Sequence, residues 1–284
     1  MFRRFAAVIL SAILLSPGWL GMTGMTLLIG FVPLLWVSAS YDDTRRSWWG
    51  MFGWATLAFV LWNALTIWWI WYATPVGPPA ATLASTTMNM IAFMLFHTVS
   101  KKAPKALAYV TLVTAWITTE YWYTVGDFSW PWLILGNGFS HEVWAVQWYE
   151  YTGVFGGTLW VLLSNILIFE ALQARRNTRR WAAAACSVAL PMIASLCIWQ
   201  SWEQPDEGTA RVSVIQPNVD CYDKFHGDTQ RQERNIADLM AEVPAGAQFI
   251  LLPETAVPSD YLEPGLSDFY SAGEPGAFWQ ELTD

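Results

Sequence analysis

The sequence predicts a polytopic α-helical membrane domain followed by the opening of an α/β domain, and three observations predict it. Hydrophobic residues make up 54% of the chain and charged residues only 13%, with twenty tryptophans, a composition displaced from that of soluble domains. The charges are shared unevenly: residues 1–202 carry eleven Lys/Arg against seven Asp/Glu, net +4, whereas residues 203–284 carry four against sixteen, net −12. After Trp202 the long apolar runs give way to short strand and helix patterns. Residues 1–202 are therefore read as the membrane domain, 203–210 as a linker and 211–284 as the N-terminal portion of a second domain.

Seven apolar runs cover residues 5–22, 24–39, 47–71, 81–99, 106–125, 151–172 and 181–200, most of them near the about 20 residues needed to cross the hydrocarbon. Pro17-Gly18 and Pro33 interrupt the first two, so a single hairpin of short, tilted helices fits that stretch as well as two full spans. The basic residues fall in every second connection: Arg3 and Arg4, Arg45 and Arg46, Lys101, Lys102 and Lys105, then Arg175, Arg176, Arg179 and Arg180. The positive-inside rule then puts the N-terminus in the cytoplasm and the acidic C-terminal part outside it. A signal peptide over Met1–Pro17 is the competing reading; no small-x-small cleavage site precedes Pro17.

Within the spans charges are few, and Glu120 is the main exception. It sits near the outer end of its span and Glu170 near the inner end of the next, so both are expected to reach the interface. Scarce intramembrane charge and the lack of repeat symmetry weigh against a transporter. Trp48, Trp49, Trp68, Trp130, Trp132, Trp144, Trp148, Trp199 and Trp202 cluster at span ends as an interfacial belt would. The connection from Tyr123 to Tyr151 is the longest in this half and is aromatic, which suggests that it lies in the outer interface. His97 and His141 have no ligand-spaced neighbours and are read as non-metal residues.

Cys186 and Cys197 lie about 16 Å apart along one helix at about 1.5 Å per residue, too far for a disulfide. Cys221 is left unpaired on the outer side. The acidic C-terminal part offers no basic stripe for nucleic acid.

In that part, Arg211-Val212-Ser213-Val214-Ile215-Gln216 alternates as a short strand, and Asp228 is placed to cap a helix. Ile236, Leu239, Met240 and Val243 form one apolar face of that helix, which ends at Pro244-Ala245-Gly246. Ala247–Leu252 is a second, more continuous apolar strand, completing a β-α-β unit with parallel strands. Glu254 follows in Leu252-Pro253-Glu254-Thr255-Ala256-Val257-Pro258. Local pattern alone leaves two readings of it, a catalytic carboxylate and a solvated strand-end residue.

Val214-Ile215-Gln216-Pro217-Asn218, Asp223-Lys224-Phe225 and the Glu254 segment together resemble bacterial apolipoprotein N-acyltransferases. The membrane half is similar to that family too, through Ala115-Trp116-Ile117-Thr118-Thr119-Glu120, Phe128-Ser129-Trp130-Pro131-Trp132 with Gly136-Asn137, and Thr152-Gly153-Val154-Phe155-Gly156-Gly157. The resemblance implies a seven-span membrane domain in the bacterial cytoplasmic (inner) membrane, followed by a periplasmic nitrilase-like (CN hydrolase) α-β-β-α sandwich that is incomplete here. It implies a fatty acyl group taken from a phospholipid as a cysteine thioester and passed to the α-amino group of a diacylglyceryl-cysteine lipoprotein. Glu254 matches the general base, and Phe225, where the family often has Trp, is a candidate for binding substrate. The chain is read as a monomer with no cofactor and no metal. The family's cysteine nucleophile and oxyanion lysine are expected later than Asp284. Cys221-Tyr222-Asp223 superficially resembles the nucleophile's context but follows the first strand, where the nucleophile does not belong. The alternative is a catalytically inactive, truncated membrane protein that binds lipid or a lipoprotein partner.

Overall fold

The structure is a computed structural model that describes residues 1–126, 129–203, 208–220, 222–224, 227–254 and 256. The chain divides into two compact units, Met1–Glu203 and Gln204–Asp284, described separately below.

The first unit is a helical bundle. Helix α1 (Phe2–Leu15) runs into a 3-10 turn at Pro17–Trp19, and a second 3-10 turn at Gly24–Thr26 leads into α2 (Leu27–Gly30) and α3 (Val32–Ala39). Helices α4 (Arg45–Ile67), α5 (Gly77–Lys102), α6 (Lys105–Val125), α7 (Tyr149–Gln173) and α8 (Thr178–Ser201) follow. All seven apolar runs of the sequence are thus helical. Among the described residues, five segments are long and apolar enough to cross a membrane: Phe2–Trp19, Arg45–Tyr72, Gly77–Lys102, Tyr149–Gln173 and Thr178–Ser201. The α2–α3 stretch is short, and α6 owes its lower hydropathy to its threonines, tyrosines and tryptophans.

The break between α2 and α3 has a specific cause. Pro33 removes one backbone donor, and the amide of Asn165 on α7 is spliced into the ladder. Its Oδ1 accepts from the Phe31 and Val32 N–H groups at 2.7 and 3.1 Å, while its Nδ2 donates to the Leu27 and Val161 carbonyls at 2.7 and 2.8 Å. The Leu27-to-Phe31 helical bond is replaced by one bond on each side of a buried amide. A similar repair occurs in α8, where Pro191 cannot donate to the Ser187 carbonyl and Trp160 Nε1 donates to it instead at 2.8 Å.

The core is aromatic. Phe31 and Trp116 meet edge to face at 4.9 Å, and Phe59 lies 5.7 Å from Phe93 and 5.8 Å from Trp116, geometries that favour ring pairs. At one end of the bundle the four basic clusters converge. Arg4 donates to Ser40 and lies 3.9 Å over the Tyr41 ring, Lys101 donates to the Ser38 carbonyl, and Lys105 and Arg180 both pair with Glu170 at 2.9 Å.

In the second unit, β1 (Val212–Val214) pairs in parallel with β2 (Phe249–Leu251), with Val212 opposite Phe249 and Val214 opposite Leu251. Helix α9 (Thr229–Ala241) connects them, capped by the Asp228 side chain accepting from the Arg231 N–H. Ile236 is its fully buried residue, whereas Val214 is 73% exposed and both strands keep apolar side chains open.

Candidate functional site

Glu254 sits two residues beyond Leu252, at the carboxyl end of a strand in a parallel pair. That end of a parallel sheet is where α/β folds gather ligands. The Ala256 N–H bonds back to the Pro253 carbonyl at 3.2 Å, turning the chain so that the Glu254 side chain is exposed.

The β1–α9 connection meets the same place. Its turn is fixed by the Asp223 and Lys224 N–H groups donating to the Asp220 carbonyl, and it is tied to α9 by Gln232 Nε2 donating to the Asp223 carbonyl at 2.8 Å. From this turn Lys224 Nζ reaches the Glu254 carbonyl oxygen at 2.9 Å. Two residues drawn from separate motifs, thirty positions apart, are thereby brought together. Phe225 lies outside the described residues, as do Cys221 and His226. Among the described residues no group of three His, Cys, Asp or Glu side chains could hold a metal.

In the first unit the structure corrects the expectation for Glu120. It does not reach the interface: it is only 3% exposed and its carboxylate is a junction of three elements. Trp116 Nε1 and the Leu135 N–H donate to Oε1 at 3.0 and 2.8 Å, and Thr158 Oγ1 donates to Oε2 at 2.5 Å. A buried carboxylate is tolerable only with such donors. The reach toward water fails because the connection between α6 and α7 folds over this end of α6, burying Leu135 and Phe139. Trp116 and Glu120, four apart on one helical face, were a legible part of this junction; Leu135 and Thr158 were not.

Glycines let the connection come this close. A Cβ at Gly136 would strike the Val154 carbonyl oxygen, and one at Gly18 or Gly24 would strike that of Gly138. Gly153 has φ of 64°, a conformation suited to glycine, and it offsets the first turn of α7. From that turn Tyr149 OH donates to the Gly136 carbonyl at 2.9 Å. Glu142, also buried, accepts from the Gly24 N–H.

Sequence reasoning missed a third feature. Trp62 Nε1, Asn63 Oδ1, Asn89 Nδ2 and Trp130 Nε1 are buried polar atoms with no hydrogen-bond partner among the described residues. They belong to α4, α5 and the connection between α6 and α7. Unmade polar groups in an apolar bundle are costly, and these are the groups a polar portion of a bound molecule would satisfy.

Residues 9–167 match the family described as "Apolipoprotein N-acyltransferase N-terminal domain". The chain is 27% identical over 246 residues to an apolipoprotein N-acyltransferase of Chlorobaculum tepidum, covering 81% of this chain and 44% of that protein. It is 26% identical over 259 residues to one of Gloeobacter violaceus, covering 87% and 43% respectively. The chain thus spans less than half the length of these curated relatives. Because the family match takes in more than half of its residues, including Glu120, Gly136, Gly153 and Asn165, the chain belongs to the apolipoprotein N-acyltransferase family through its N-terminal domain.

Proposed function

We propose that this chain contributes the membrane domain and the general base of an apolipoprotein N-acyltransferase. The reaction moves a fatty acyl group from a phospholipid to the α-amino group of a diacylglyceryl-cysteine lipoprotein. The observation that carries the reading is Glu254 at the end of β2, exposed and held at its backbone by Lys224, in a chain whose membrane half belongs to the family.

In the first half-reaction Glu254 takes the proton of a cysteine thiol, whose ordinary pKa of about 8.5 leaves it mostly protonated at neutral pH. The thiolate sulfur bonds to the ester carbonyl carbon, the carbonyl–oxygen ester bond breaks, and the proton goes to the departing lysophospholipid oxygen. In the second, the α-amino nitrogen bonds to the thioester carbon, the carbon–sulfur bond breaks, and Glu254 accepts the amine proton. The cysteine and an oxyanion-stabilising lysine are those that the family resemblance implies. Phe225 is assigned to substrate contact beside Lys224.

Seven spans are the reading of α1 to α8 that puts all four basic clusters on one side, with the N-terminus cytoplasmic and the β-α-β unit, the start of a nitrilase-like domain, extracytoplasmic in the inner membrane. The convergence of Arg4, Lys101, Lys105 and Arg180 contacts at one end of the bundle supports it. The unpartnered polar atoms of α4 and α5 support a membrane domain that handles the polar part of a lipid.

The test is acylation of a diacylated lipoprotein by a polypeptide carrying this sequence together with the family's cysteine and lysine. Glu254→Gln, expressed at the same level, is expected to abolish transfer and thioester formation. Wild-type activity in that variant removes Glu254 as the base.

A further inference from the structure

At the basic end of the bundle the N-terminus of α4 and the last turns of α5 enclose a pocket of about 450 Å³, inside the range of about 300–1,000 Å³ typical of small-ligand sites. Its wall holds three cationic side chains, Arg45, Lys101 and Lys102, and two anionic ones, Asp42 and Asp43. Lys101 Nζ donates to the Ser38 carbonyl at 2.9 Å, which fixes its ammonium at the wall. None of Asp42, Asp43, Arg45 and Lys102 takes part in an ion pair among the described residues.

The start of α4 adds backbone donors to this rim of charges. Thr44 Oγ1 accepts from the Ser47 N–H, and the Trp48 N–H bonds to the Thr44 carbonyl. The Arg45 and Arg46 N–H groups at the start of a 23-residue helix are left without an intrahelical acceptor, an arrangement that favours a phosphate. His97 lines the floor and is only 1% exposed. Its Nδ1 shares a 2.7 Å hydrogen bond with Ser38 Oγ, which fixes the ring at the pocket wall.

A free anion fits this wall poorly, because Asp42 and Asp43 repel it. The pocket also opens onto apolar surface. Trp48 and Trp49 line it and form a three-ring cluster with Phe52, with centroids 4.9, 5.6 and 5.4 Å apart. Trp49 and Phe52 remain exposed on a segment long and apolar enough to cross a membrane. A polar pocket holding both signs of charge, continued by an exposed aromatic strip along a span, matches a lipid headgroup with its acyl chain below.

We propose that this pocket binds the headgroup of a zwitterionic phospholipid, with the phosphate on Arg45, Lys102 and the α4 N-terminus and the ammonium on Asp42 and Asp43. The site lies at the end of the bundle opposite the outer connection and takes no part in acyl transfer.

Native mass spectrometry of the purified full chain, reconstituted with equal amounts of phosphatidylethanolamine and phosphatidylglycerol of matched acyl chains, tests the assignment. The expected result is retained phosphatidylethanolamine in about tenfold excess over phosphatidylglycerol, about 1.4 kcal/mol. The double variant Arg45→Gln/Lys102→Gln is expected to lose retention of both lipids, and Asp42→Asn/Asp43→Asn to lose the preference while still retaining lipid. Unchanged melting in detergent verifies that these exposed substitutions leave the bundle folded. Equal retention of the two lipids by the wild type, or a preference that survives Asp42→Asn/Asp43→Asn, overturns the proposal. Displacement of the lipid by millimolar inorganic phosphate or free phosphoethanolamine also overturns it, in favour of a soluble ligand. The measurement requires no acyl transfer, so its outcome is independent of the role of Glu254.

Discussion

Thr158 Oγ1 on α7 donates to Glu120 Oε2 on α6 at 2.5 Å, inside a bundle where the carboxylate has almost no access to water. The other oxygen holds the Leu135 N–H of the outer connection and the Trp116 indole of its own helix. Glu120→Ala strands all three donors. Each buried donor left unmade costs about 1–3 kcal/mol, so the variant is expected to melt at lower temperature in detergent and to become protease-sensitive around residues 131–140. Glu120→Gln keeps an accepting oxygen and is expected to fall between the two.

Asn165 replaces a missing turn of helix with one amide. Asn165→Leu matches its size but leaves the Phe31 and Val32 donors and the Leu27 carbonyl unmet, and the same cost of about 1–3 kcal/mol per group applies. Unfolding by denaturing detergent is expected to shift to clearly lower concentration, and Asn165→Asp is expected to be affected at least as much, because its second oxygen faces the Leu27 and Val161 carbonyls to which Nδ2 donates.

Trp160 and Pro191 form a pair that a double-mutant cycle can isolate. In the parent, Trp160→Phe removes the donor to the Ser187 carbonyl. In a Pro191→Ala background the new Ala N–H satisfies that carbonyl from within the helix. The loss caused by Trp160→Phe is therefore expected to shrink by about 0.5–1.5 kcal/mol, one net hydrogen bond. Purely additive effects count against the repair.

Lys224→Met releases the Glu254 carbonyl without touching the carboxylate. Its expected effect on acyl transfer is intermediate, a fall in kcat/KM of about tenfold, or about 1.4 kcal/mol, against complete loss in Glu254→Gln. Equal losses would assign Lys224 a larger part than positioning.

Asp228→Ala removes the cap of α9 and is expected to destabilise that helix by about 0.5–2 kcal/mol. Hydrogen exchange of the amides of residues 231–234 reads this directly, and Asp228→Ser is expected to restore protection.

Periodicity and capping signals are local, and the elements that rest on them were readable in advance. The start of α9 follows from Asp228, whereas the helix ends at Ala241, short of the stop expected at Pro244-Ala245-Gly246; the parallel pairing follows from a helix between two apolar strands. The position of Glu254 was legible for the same reason. Proximity across the chain was not: nothing near Glu120 announces Leu135 or Thr158, and nothing near Phe31 announces Asn165. Interface-seeking behaviour, a sound expectation for a carboxylate near a span end, lost to a connection that folds inward because Gly18, Gly24 and Gly136 allow backbone to meet backbone.

That inward fold ties the connection between α6 and α7 to the bundle through buried amides. The Gly24, Leu135 and Gly136 amides lie outside the long helices, yet each donates to a buried side chain, Glu142, Glu120 or Thr158. Their exchange with solvent deuterium is expected to need the bundle end to open, so that they exchange together with the neighbouring turns of α6 and α7.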